Sequence, residues 1–173
     1  MPGMTTAAKA RRKAAAFYRP ETWRREESIG YLMGRVMATV KEAVDHDLAP
    51  TDLTHSQWVP LLKVYLGEAS TVAELARECQ VDVGAMTRTL DRLEAKDLVR
   101  RVRSSEDRRV VNVELTAEGR QTAKKIPAVL CRVQNEYLRD FTHDEWQLLK
   151  GMLRRILDTA QELHQERESK DHP

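Results

Sequence analysis

The residues best suited to chemistry here are arginines, and the chemistry is recognition of an anion rather than the making of bonds. Thr87 and Arg88 stand near the start of a short amphipathic stretch, with Arg92 one turn on and the small residues Gly84 and Ala85 just before them. Residues 96–109 add Lys96, Arg100, Arg101, Arg103, Arg108 and Arg109 against Asp97, Glu106 and Asp107. A guanidinium presents a planar fork of donors that fits two acceptors on a guanine edge or the oxygens of a phosphate. Chemistry of other kinds lacks its parts. There is no glycine-rich phosphate loop and no nucleophile elbow, and the histidines (His46, His55, His143, His164, His172) are scattered. The reading is therefore of a protein that is not an enzyme and that needs no metal and no cofactor.

Composition sets the frame. The chain has 173 residues, 32% of them charged and 5% aromatic, with a net charge of only +2. That charge is unevenly spread. Residues 1–25 carry Lys9, Arg11, Arg12, Lys13, Arg19, Arg24 and Arg25 against Glu21, whereas the end of the chain from 158 leans acidic. Such asymmetry implies a polyanion footprint on part of the surface, or simply a solvated face. No apolar run is long enough to span a membrane, and the basic N-terminus lacks the apolar stretch of a secretory signal. Cys79 and Cys131 are far apart and without metal-ligand neighbours, which suits a reducing cytoplasm and buried, hydrophobe-like thiols.

The elements that must position these residues can be read from caps and periodicity. Residues 1–20 read as a flexible basic arm. Apolar residues from Ile29 to Val44 recur at helical spacing, predicting a helix over about 21–45 broken by His46 to Pro50. Thr54–Gln57, Thr71–Glu74 and Thr142–Glu145 each match a capping box and open helices at about 54–67, 71–79 and 142–167. Asp82 can cap a helix over about 83–96. Extended runs at about 98–103 and 110–115 flank a charged tip, and Thr116 starts a helix to about Phe141, kinked by Pro127. The fold class is mostly α with one β-hairpin.

Two short helices followed by a hairpin with a basic tip have the arithmetic of a winged helix-turn-helix. In that arrangement the start of the second helix approaches the major groove, through Gly84, Ala85, Thr87 and Arg88, while Arg92 meets the backbone or a charge partner. The tip reaches the minor groove or its phosphates through Arg103, Arg108 and Arg109. Asp107 would be repelled by phosphate, so it is expected to brace the tip by pairing with Arg109.

The run Asp107-x-Arg109-x-x-x-Val113-Glu114-Leu115-Thr116-x-x-Gly119 resembles the wing signature of the MarR family of transcription regulators. Upstream, "VDVGAMTRTLDRLEAKDLVRR" is similar to that family's recognition helix and its exit into the wing. The resemblance covers about residues 28–160, with departures at Glu114 and at Asp97, where the family usually has glycine. It implies a winged helix-turn-helix domain over 51–116, dimerisation helices over 21–50 and 117–167, and a tail over 168–173. It also implies a homodimer on double-stranded DNA, with a pseudo-palindromic operator whose half-sites lie about 10 base pairs apart.

Family members commonly bind small aromatic carboxylates or phenols between the dimer helices and the DNA-binding domain. The candidates here are Arg19, Trp23, Ser28 and Tyr31 in one stretch and His55, Trp58 and Leu62 in another. Each has an ordinary structural reading beside the ligand-binding one. Trp58 and Leu62 fit a core, His55 fits a helix cap, and Trp23 fits packing of the arm. The expectation is a repressor released by a small aromatic carboxylate effector. The alternative is a regulator without a ligand, constitutive or redox-responsive through a cysteine.

Overall fold

A computed structural model describes residues 16–103 and 110–171. It contains α1 (Ile29–Leu48), α2 (His55–Leu66), α3 (Val72–Glu78), α4 (Val83–Ala95), β1 (Val99–Arg103), β2 (Val111–Leu115), α5 (Ala117–Tyr137) and α6 (His143–Asp171). The fold is mostly helical with one antiparallel hairpin, as the sequence predicts. The chain forms two compact units that divide after Ala38.

In the smaller unit the first helix starts later than the expected residue 21. Residues 25–27 form a single 3-10 turn, and Ser28 ends the irregular stretch. The Ser28 hydroxyl accepts from the Tyr31 amide at 3.3 Å, and the Tyr18 hydroxyl accepts from the Ile29 amide at 2.9 Å. These side chains take amide groups that a helix start leaves unpaired, so the helix begins where its caps are. Ile29, Leu32, Met33, Val36 and Met37 share helical spacing and all stay exposed.

The larger unit is built around one core. Leu48 from the end of α1, Leu61 from α2, Leu75 from α3, Leu90 and Leu93 from α4, Val99 from β1, Val113 from β2 and Ile126 from α5 are all buried in it. The core thus crosses the expected boundaries at 50 and 117. Burial of Leu48 explains why α1 runs past His46 instead of breaking there. Pro50 falls in the 3-10 turn Ala49–Thr51, where its missing N–H has no helical bond to make. At the other end, α5 stops at Tyr137 rather than Phe141, because a complete capping box at Thr142 and Glu145 opens α6 immediately afterwards. Pro127 lies within α5 without ending it. Helix α6 continues through 168–171, residues expected in the tail; good helix formers and a His164–Glu168 pair one turn apart sustain it. The boxes at Thr71 and Thr54 are present too; at Thr54 the Gln57 side chain accepts from the Thr54 amide at 3.2 Å.

Helices α2, α3 and α4 all end in the same way. The residue after the last helical turn is left-handed: Gly67 (φ 73°), Gln80 (φ 54°) and Asp97 (φ 54°). In each, two amides fold back onto the final turn; at α4 the Asp97 amide reaches the Glu94 carbonyl at 2.9 Å and the Leu98 amide reaches that of Leu93 at 3.0 Å. This is the Schellman closure, and only one of the three positions has the residue that fits it without strain.

Next to it, Thr116 holds the start of α5. Its hydroxyl donates to the Asp97 carbonyl at 2.6 Å and accepts from the Gly119 amide at 2.9 Å. A β-carbon on Gly119 would sit 1.8 Å from the Leu98 carbonyl oxygen. Two outcomes are expected from denaturant unfolding. Asp97→Gly should stabilise the chain by about 0.5–1 kcal/mol, the left-handed strain relieved less the entropy glycine loses. Gly119→Ala should destabilise it by roughly 3 kcal/mol, at the upper end of overpacking, because the obstacle is backbone.

Candidate nucleic-acid interface

The helix pair expected to bind DNA is present. Leu75 and Ala76 of α3 are buried in the same core as Met86, Leu90 and Leu93 of α4, which leaves the opposite face and the first turn of α4 open. The Asp82 carboxylate accepts from the Ala85 amide at 2.8 Å and caps the helix. Gly84 is exposed and Ala85 half-buried at that end. The Arg88 side chain lies back over the turn, its Nη1 3.6 Å from where a Gly84 β-carbon would be. A β-carbon at position 84 would press on the Asp82 cap, 3.1 Å away, while meeting Arg88 in ordinary contact. Thr87 is half-buried, and its hydroxyl donates to the Val83 carbonyl at 2.8 Å. In this rotamer it offers a base only an acceptor.

The hairpin sorts its cations. The register places Arg100 opposite Glu114, and the two side chains pair at 2.7 Å. The carboxylate that departs from the family pattern therefore neutralises a neighbouring arginine. Arg101 turns the other way, onto α4. Its Nε and Nη2 donate to one Glu94 oxygen at 3.1 and 2.6 Å, and Nη2 also reaches Asp91. The guanidinium holds the Glu94 carboxyl below its usual pKa, first through these side-chain bonds. Arg88, Arg92 and Arg103 are exposed and make no ion pair among the described residues. Among the described residues Arg92 thus has no charge partner of the kind open to it in the sequence reading. Asp107, Arg108 and Arg109 lie outside the described residues. The base of the wing is tied to the start of α3, where the Val113 amide donates to the Ser70 carbonyl at 2.7 Å.

The effector candidates fall in two places. In the smaller unit Arg19 and Trp23 are exposed, and the Ser28 hydroxyl is engaged with the Arg25 carbonyl and the Tyr31 amide. Tyr31 lies under the Arg25 guanidinium, 4.9 Å from its centroid. In the larger unit Trp58 is buried in the core, its indole N–H donating to Asp45 at 3.0 Å, and Leu62 packs against that core. His55 stands edge-on to Trp58 with ring centroids 5.0 Å apart. Its Nδ1 is enclosed without a hydrogen-bond partner, and burial followed by the nearby Lys41 lowers its pKa against the opposing pull of Asp45.

The cysteines differ from each other. Cys79 is half-buried with its thiol pKa pushed up by burial, which disfavours the thiolate. Cys131 is exposed, contrary to the expected buried position, because α5 turns Val129 and Val133 inward and residue 131 away. Sequence reasoning also missed the Arg101 clasp. Its one signal was the shared strand face of Val99 and Arg101, two residues apart. A shallow groove lined by Leu138, Phe141, His143 and Trp146 where α5 meets α6 was missed as well.

Residues 53–111 match the family model described as the MarR family. The reduced form of MarR from E. coli is 31% identical, with a TM-score of 0.67 over 75% of this chain and 96% of that one. A cysteine-to-serine mutant of E. coli MarR complexed with operator DNA is 30% identical, with a TM-score of 0.68 over 74% of this chain and 92% of that one. The S. aureus MepR–DNA complex shares the fold, with a TM-score of 0.70 over 76% of this chain and 98% of that one, at 22% identity. The chain belongs to the MarR family of winged helix-turn-helix transcription regulators.

Proposed function

We propose that this regulator is a homodimeric repressor that holds a pseudo-palindromic operator with α4 and the wing and is released by a small aromatic acid. The observation that carries the DNA half is the sorting of charge. Arg100 and Arg101 are neutralised within the protein, while Arg88 and Arg92 remain exposed along α4 and Arg103 at the end of β1, where the chain runs into the tip. The operator complex of the related E. coli MarR mutant supports the same reading. Arg88, at the open first turn, is assigned to a base edge, and Arg92 and Arg103 to phosphates. On the same proposal Arg108 and Arg109 are assigned to DNA as well, with Asp107 expected to pair with Arg109; all three lie outside the described residues.

The dimer is inferred from α6. None of residues 143–170 in it is buried, yet Leu148 (59% exposed), Met152, Ile156, Leu157 and Leu163 form an apolar stripe along it. A helix of 29 residues, about 43 Å long, is poorly stable in water with such a face uncovered. A second copy would cover it. The effector is inferred more coarsely. Within the smaller unit Arg19 suits a carboxylate, with Trp23 and Tyr31 as aromatic surface and Ser28 as a polar group; within the larger unit Leu62 beside Trp58 gives apolar surface next to the His55 Nδ1. Release is a shift of population toward a spacing of recognition helices that misfits the operator, for which a coupling of about 1–3 kcal/mol is enough.

Three measurements test this. Arg88→Ala should weaken operator binding by roughly 5- to 150-fold, about 1–3 kcal/mol, and relax base preference at one position per half-site, whereas Arg103→Ala should weaken all duplexes and lower the salt slope by about 1. An Arg88→Ala protein with unchanged sequence preference would remove α4 from recognition. Light scattering should give a dimer for the wild type and a shift to monomer for Leu148→Glu with Ile156→Glu; a monomeric wild type refutes the dimer. Titrating the protein–operator complex with hydroxybenzoates and phenols should release DNA. Retention of DNA with every compound would favour a regulator without such a ligand.

A further inference from the structure

We propose that Arg101 is a positioning residue for operator recognition: from β1 it clasps Asp91 and Glu94 on α4 and fixes the angle between the wing and the recognition helix without touching DNA. The proposal rests on the reading that α4 and the wing bind DNA.

Strand alternation puts Arg101 on the same face as Val99, which is buried in the core that α4 also fills. The clasp uses both oxygens of Glu94. One accepts the guanidinium at 2.6 and 3.1 Å, and the other accepts the Arg101 backbone amide at 3.2 Å. Strand and helix are thereby pinned through the main chain as well as the side chain. Nη2 also holds Asp91, three residues before Glu94 on the same side of α4. The Arg101 side chain is 28% exposed where that of Arg100 is 66% exposed.

A single exposed ion pair contributes little. This one is a network of one forked cation, two anions and a backbone amide joining two different elements, so its consequence is geometric. The Arg100–Glu114 pair makes the contrast. It joins two residues already opposite each other in the hairpin register and orients no element. Two carboxylates beside a DNA-binding helix would also repel phosphate if they were not neutralised in place.

The signs of the effects make the test sharp. Binding of the full-length chain to operator and to unrelated duplex is measured by fluorescence anisotropy across a salt series, well below each variant's unfolding temperature. Removing an acid from a DNA-binding surface should, on charge alone, tighten binding. The clasp requires the opposite: Glu94→Gln should weaken operator binding by roughly 3- to 30-fold, with an unchanged salt slope. Glu114→Gln, which also removes an acid, should leave binding equal or tighter. Arg101→Lys keeps the charge but loses the fork, so it should weaken operator binding as Glu94→Gln does. The swapped pair, Arg101→Glu with Glu94→Arg, should recover part of the loss. Equal or tighter operator binding by Glu94→Gln overturns the proposal. So does an Arg101→Ala protein whose salt slope falls by about 1, the mark of a phosphate contact. Lower thermal stability with unchanged operator affinity overturns it too. A wild type that binds no duplex at low salt would overturn the DNA reading beneath it, a result distinct from a wild type that binds and a Glu94→Gln that binds as well.

Discussion

The geometry of this protein depends on the contact between the Leu98 carbonyl and Gly119. Leu98 is the residue through which α4 becomes β1. Its amide closes the end of α4, its carbonyl accepts the Thr116 amide at 3.2 Å, and its side chain is buried in the core. Gly119 brings the first turn of α5 against that carbonyl so closely that no other side chain fits. Recognition helix, both wing strands and the long helix behind them are thus fixed to one another within a few residues. The left-handed turn at Asp97 is what allows it, since the chain must reverse at once to present Leu98 to both partners.

Electrostatics then works on a scaffold whose angles are already set. A chain of net charge +2 has no strong overall attraction for a polyanion. Positive potential has to be made locally, by deciding which arginines keep an acid partner. Four consecutive wing residues show the principle. Arg100 is cancelled across the hairpin, Arg101 is consumed in joining strand to helix, Val102 carries no charge, and Arg103 is left unpaired among the described residues, at the end of β1. Along α4 the acids Asp91 and Glu94 serve Arg101, while Arg88 and Arg92 face outward. The same number of arginines with the acids redistributed would give the same net charge and a different protein.

How much of this could be read from the residues follows from the range of the interactions involved. Helices α2, α3 and α4 and both strands were legible within about a residue, because Thr54, Thr71, Asp82 and Thr116 act on amides three positions away and the strands alternate. The start of α1 was not, since a tyrosine hydroxyl from eleven residues upstream caps it. Its end was missed because burial of Leu48 outweighs the local break signal. The placement of Gly84 and Arg88 on the open side of α4 was legible from spacing. The partners of Arg100 and Arg101 were not, because register and helix packing decide them. Trp58 shows the same limit: type and spacing made it a candidate for a ligand wall or a core, and only the packing places it in the core.

Helix α5 connects the wing to the end of α1, and its mechanics would constrain the effector response proposed above. At one end it is capped by Thr116 against the wing. Further along, the Arg132 guanidinium pairs with Asp47 of α1 at 2.8 Å, and at its last residue the Tyr137 hydroxyl donates to the Thr39 carbonyl at 3.4 Å. Between these ends lie Ala123, Ile126, Val129 and Val133, all buried. A helix packed this way moves as a rigid body, because a core at crystal-like density cannot absorb a displacement by local compression. A shift imposed on α1 near Asp47 must therefore either break the Arg132 pair or carry α5 with it. If α5 moves, Gly119 cannot slide past the Leu98 carbonyl, so the turn between α4 and β1 moves too. Small displacements at the far end are in this way passed to the recognition helix and the wing together. On the proposed effector reading, the response would be a change in the placement of α4 and the wing together, their mutual angle held by Leu98 and, as proposed, by Arg101.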